Sequence, residues 1–185
     1  LWYICCGREC ITLHIQNDRV MRKDVLLLSL LAGCLIIAGC EREKQQVTAI
    51  LKDHSGCKGL KSASESDVPN TQSCINWSYD NTSGVLSLTH VNAGFNCCPE
   101  KLSCDIALIG DTLFINEKEK SALCDCDCLF DLFIEINHLE QQSYFIRIGE
   151  PYCGEQQKLI FSVDLVSEPT GSFCAARNWY PWGMP

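Results

Sequence analysis

Hydrophobic and polar positions follow two different regimes along this chain. From Val25 to Ala38 the residues are apolar on every side, interrupted only by Ser29 and by small residues. Such a run has no polar face to turn toward water, so it is not an amphipathic surface helix. From about Cys74 onward the pattern changes to a period of two. Val85 to Val91 places Leu86, Leu88 and His90 on one face and Val85, Ser87, Thr89 and Val91 on the other, as an extended chain does. The cluster Asp80-Asn81-Thr82-Ser83-Gly84 before it is rich in turn-forming residues. Leu102–Ile109 and Leu113–Asn116 are β-rich runs joined by Gly110-Asp111-Thr112, which predicts a hairpin. Asp127–Leu139, Tyr144–Ile148 and Leu159–Leu165 predict three further strands, separated by His138–Gln142 and Pro151–Gln157. No stretch longer than ten residues combines a 3.6-residue period with helix caps. Short, closely spaced strands with turn clusters between them predict an all-β, antiparallel sandwich or barrel.

The first regime has a specific look. Arg22 and Lys23 precede the apolar run, Ile37-Ala38-Gly39-Cys40 ends it, and Glu41-Arg42-Glu43-Lys44 follows. A run of 14 residues is short of the ~20 that a membrane-spanning helix needs. A positive flank, a short apolar core and a small-residue end describe a cleaved export signal. The segment resembles the signal peptide and lipobox of bacterial lipoproteins. That resemblance implies cleavage before Cys40, acylation of Cys40 with lipid such as palmitate, and attachment to a membrane outside the cytoplasm. Leu31-Ala32-Gly33-Cys34 has the same local form, but cleavage there would strand Leu35–Ala38 beyond the site. Glu41 after the lipidated cysteine resembles the pattern of enteric lipoproteins kept at the outer membrane, so an outer-membrane or cell-surface location is expected. The run Glu135–Ile148 resembles the late hairpin of many immunoglobulin-like sandwiches, in keeping with the all-β expectation.

These readings divide the chain as 1–20, upstream sequence or a mis-called start; 21–39, the signal peptide; 40–70, a polar tether; and 71–185, one cysteine-rich β domain. The tether is rich in Lys, Glu, Ser and Gln, with one weakly apolar patch at Val47–Leu51. From Cys40 to Pro185 acidic residues outnumber basic ones 20 to 11, which disfavours nucleic acid as a partner, since phosphate binding needs a basic surface.

Cysteine is the compositional outlier. Beyond Cys40 there are ten: Cys57, Cys74, Cys97, Cys98, Cys104, Cys124, Cys126, Cys128, Cys153 and Cys174. In an exported chain an even number points to disulfides, with connectivity left open. If residues 124–128 are extended, Cys124, Cys126 and Cys128 share a face with neighbours ~6.5 Å apart. A disulfide needs Cβ atoms ~3.8 Å apart, so each of the three should find its partner elsewhere, with Cys97, Cys98 and Cys104 as the nearest supply. The alternative is a thiolate metal site for zinc or copper, built from Cys97, Cys98, Cys124, Cys126 and Cys128 with His90 nearby. C-x-C-x-C departs from the usual C-x₂-C spacing of zinc sites, and no C-x-x-C redox motif is present.

Catalytic motifs are absent from the sequence. There is no G-x-S-x-G elbow, no phosphate-binding Gly-rich loop and no H-E-x-x-H. The expected role is therefore non-enzymatic, structural or binding, with a protein or glycan partner unspecified and no cofactor outside the metal alternative. The aromatic tail Asn178-Trp179-Tyr180-Pro181-Trp182-Gly183 reads either as a cover for an open end of the sandwich or as a stacking platform for sugars or peptides.

Overall fold

The structure is a computed structural model and describes residues 2–6, 9–13, 46–58 and 68–178. It divides into two units, residues 1–44 and 45–185. In the first, β1 (Trp2–Cys6) and β2 (Glu9–Leu13) pair antiparallel, with Cys5 opposite Cys10. The expected signal peptide and Cys40 lie outside the described residues. Among the described residues no helix is long and apolar enough to cross a membrane.

The second unit holds, in chain order, β3 (Thr48–His54), β4 (Gln72–Asp80), β5 (Val85–Asn96), β6 (Pro99–Ile109), β7 (Thr112–Ala122), β8 (Asp127–Asn137), β9 (Ser143–Gly149), β10 (Ile160–Asp164) and β11 (Thr170–Ala176). They form two sheets, with orders β11-β4-β5-β8-β3 and β10-β9-β7-β6. The sheets pack on one hydrophobic core drawn from both. The fold is the expected all-β sandwich. Inward positions follow the period of two: Ile75, Trp77 and Tyr79 on β4, Leu86 and Leu88 on β5, Leu132, Ile134 and Ile136 on β8, Leu113 and Ile115 on β7, and Tyr144, Ile146 and Ile148 on β9. Burying each such side chain contributes ~1.5–3 kcal/mol, and truncating one, as in Leu88→Ala, costs ~2–5 kcal/mol.

Four features differ from the expectation. Thr48–His54 lies in the stretch 40–70 expected as a tether, yet it is an edge strand paired with β8. It joins because Ala49 and Leu51 pack against the core while its other residues stay exposed. The run Glu135–Ile148 is not a hairpin, since β8 and β9 belong to different sheets and residues 138–142 cross between them. The pairing of β7 with β9 is parallel, because the chain leaves β7, runs back through β8 in the other sheet and returns. Finally, β5 does not alternate to its end. Its register with β8 shifts between His90 and Ala93, and Asn92 takes a positive φ of 63°. Asparagine tolerates that conformation, and here its side-chain amide donates to the carbonyls of Pro69 (3.2 Å) and Gln72 (3.0 Å).

The chain crosses between sheets at short connections. Cys97-Cys98 links β5 to β6, and residues 123–126 link β7 back to β8. These two crossings lie side by side, and they position the site described next.

Candidate functional site

The crossings are joined by two adjacent disulfides, Cys97–Cys126 and Cys98–Cys124, with Cα atoms 5.6 and 5.5 Å apart. Cys128 pairs with Cys57, and Cys74 with Cys174 across the β4–β11 ladder. Each cysteine of the 124–128 triplet therefore bonds outside the triplet, as expected. The expected geometry does not hold for all of it, however. Residues 124–125 form a bend, and Cys128 alone of the three lies in a strand. Cys57 takes the place in the pairing that Cys104 was expected to fill. Among the described residues Cys104 and Cys153 are the free thiols.

Asn96 organises the crossing. It is buried at the end of β5, and its side-chain amide donates to the carbonyls of Cys124 (2.5 Å) and Cys126 (2.8 Å). Its side-chain oxygen accepts from the backbone N–H of Cys98 (2.9 Å) and Cys124 (3.3 Å). The Cys97 amide donates to the Cys126 carbonyl (2.9 Å), and the Leu123 amide to Cys98 (3.3 Å). The two segments are thus pinned to each other by a frame of hydrogen bonds that does not pass through sulfur. Within it the sulfurs of Cys97, Cys124 and Cys126 all lie within 4.8 Å of one another, and those of Cys97 and Cys98 are 3.9 Å apart.

The metal site expected to include Cys128 and His90 is not assembled as such. Cys128 is tied to Cys57. His90 is wholly buried between the sheets, and its ring nitrogens are engaged there. The Ser73 hydroxyl lies 2.7 Å from His90 Nε2, and a Glu117 carboxylate oxygen 2.6 Å from Nδ1. Glu150 lies 3.8 Å from Nε2 and binds Arg177 at 2.5 Å. Arg177 also donates to the Cys153 sulfur (2.8 Å) and the Gln157 carbonyl (2.7 Å).

With His90 protonated, this interior cluster carries two positive and two negative charges and is balanced, as buried ions must be. Burial opposes a charged His90, but the adjacent Glu117 carboxylate, its hydrogen bond and Glu150 outweigh it and raise the imidazole above its usual value. Cys104, opposite Glu117 on β6, is pushed up to about 11 by burial and by the Glu117 and Asp105 charges. Burial and Glu150 likewise raise Cys153.

Ser73, His90 and Glu117 have the connectivity of a hydroxyl–imidazole–carboxylate relay. Ser73 and His90 have no exposed surface. The trio had a legible signal. Ser73 continues the inward series of β4, His90 that of β5, and Glu117 that of β7 after Leu113 and Ile115. A polar residue at the next inward position on three strands marks a polar centre in the core. The aromatic residues beyond Asn178 lie outside the described residues.

No protein-family model matches the chain, and it has no match among curated proteins or solved structures.

Proposed function

We propose that this chain is a bacterial lipoprotein whose disulfide-stapled β-sandwich is held outside the cytoplasm by lipid on Cys40. Its role is structural or binding rather than enzymatic, and the outer membrane or cell surface is the favoured location. The observation that carries the reading is the set of four disulfides within residues 57–174. Such bonds form and persist in oxidising compartments and are rare in the cytosol. An exported chain is what the positive flank, the apolar run and Ile37-Ala38-Gly39-Cys40 lead to. The burial of Ser73 and His90 supports a non-enzymatic reading for the relay they form. With β3 in the sandwich, the segment left to act as spacer after Cys40 is shorter than the sequence suggests.

The test is expression in a bacterium fed labelled palmitate, followed by fractionation. The proposal expects label and protein together in the membrane fraction, and a Cys40→Ala form that is unlabelled and no longer retained as the processed species. Unlabelled wild-type protein in the soluble fraction would refute it.

A further inference from the structure

The paired crossings carry four sulfurs in a frame that outlasts their bonds. Opening both bridges would leave the Asn96 hydrogen bonds and the Cys97–Cys126 and Leu123–Cys98 backbone bonds in place. The four thiols would then stay clustered instead of separating. A tetrahedral zinc site with Zn–S bonds of ~2.3 Å has sulfur–sulfur edges of ~3.8 Å. The Cys97 and Cys98 sulfurs already stand 3.9 Å apart, and Cys124 and Cys126 lie within 4.8 Å of Cys97.

The two bridges are also within reach of a reductant. Cys97, Cys98 and Cys124 are half-buried and Cys126 is exposed. Each of the other two bridges pairs a buried cysteine, Cys74 or Cys128, with an exposed one, Cys174 or Cys57. What sets the crossing apart is that it gathers four sulfurs where each of the others holds two.

We infer that Cys97, Cys98, Cys124 and Cys126 form a redox-gated zinc site. Oxidised, they are two disulfides; reduced, they are four thiolate ligands. An external dithiol supplies two electrons and two protons to each bridge and itself closes to a disulfide. Zinc then enters as four S–H protons leave to water and four Zn–S bonds form. The set differs from the one the sequence suggested by excluding Cys128 and His90, which the fold commits elsewhere. It stands on the crossing geometry alone, so its failure leaves the membrane-anchor proposal untouched, and the converse holds too.

The experiment uses the full chain in detergent under anaerobic conditions, reduced by a phosphine and then given zinc, or cobalt as a spectroscopic probe. The expected result is one tightly held ion per chain and the visible bands of tetrahedral thiolate coordination. Peptide mapping after alkylation should show zinc shielding Cys97, Cys98, Cys124 and Cys126 and no such shielding of Cys57, Cys74, Cys128 or Cys174. A Cys98→Ser/Cys124→Ser form should lose the ion, and a Cys74→Ser/Cys174→Ser form should keep it. Shielding is read on the wild-type chain, so the inference stays testable even where a variant misfolds. Absence of a stoichiometric ion, or equal alkylation of the four cysteines with and without zinc, would overturn it.

Discussion

His90 Nδ1 lies 2.6 Å from a carboxylate oxygen of Glu117, and neither side chain has more than 1% of its surface exposed. The two residues come from opposite sheets, so the contact fastens the layers of the sandwich through their shared interior. Burial makes Glu117 reluctant to lose a proton, although His90 partly offsets this; Glu117 and Glu150 make His90 reluctant to lose one as well. Whichever atom carries it, the folded pair binds the proton more tightly than the unfolded chain does.

That fixes the sign of a pH dependence. A group whose folded pKa is raised contributes stability that is complete below its unfolded value and is lost as pH rises through the folded one. For His90 the loss begins near the ordinary 6.5 and continues above it. Urea midpoints should therefore fall between roughly pH 6 and the alkaline side, and His90→Gln should flatten that slope. A stability that rises with pH across this window would contradict the assignment. Glu117→Ala, which leaves His90 and Arg177 short of a counter-charge, should cost ~3–5 kcal/mol at neutral pH.

The twin bridges should be strongly non-additive. With Cys98–Cys124 intact, Cys97–Cys126 closes a ring of only about five residues, worth ~2 kcal/mol in the chain-entropy account. Once one is gone, the other closes a loop with a sequence separation of 26 or 29, worth ~3.5 kcal/mol. Removing either pair alone should thus cost ~2 kcal/mol, and removing the second a further ~3.5 kcal/mol. Denaturant melts of the two double variants and the quadruple variant check this. Equal, additive losses would show that the bridges act independently.

Much of this arrangement was legible in the residues. The alternation put His90 on one face with Leu86 and Leu88, and that face lies in the core. Gly110-Asp111-Thr112 marked the β6–β7 hairpin. What escaped had physical reasons. Thr48–His54 is an edge strand that buries little, so its apolar alternation is weak. Cys57 reads as a staple at the far end of that stretch, but nothing local to it names Cys128 as the partner it has. Thr170–Ala176 is built from small residues around Phe173 and carries no clear period. Glu117 occupies a core position that apolar patterning does not mark, and the strand predicted beside it stopped at Asn116, whereas β7 runs on to Ala122. Crossing between sheets is a matter of topology, which the local likeness of Glu135–Ile148 to a hairpin could not convey.

The two free thiols among the described residues should be slow to react for different reasons of place. Cys104 is held at about 11 beside Glu117 and Asp105, and Cys153 is buried against Arg177. Since the thiolate is the nucleophile, both should resist alkylation in the native state and react promptly in denaturant. Mass-spectrometric mapping of Cys104 and Cys153 over a time course reads this directly. Rapid native labelling of Cys153 would show that the interior cluster opens to solvent.

The most direct test of the central claim is the intact mass of the protein extracted from membranes. A lipid-anchored chain should begin at Cys40, with residues 1–39 gone, and carry more than one acyl chain, because a single chain binds a membrane only marginally. An unacylated chain, or one that retains residues 21–39, would contradict the account.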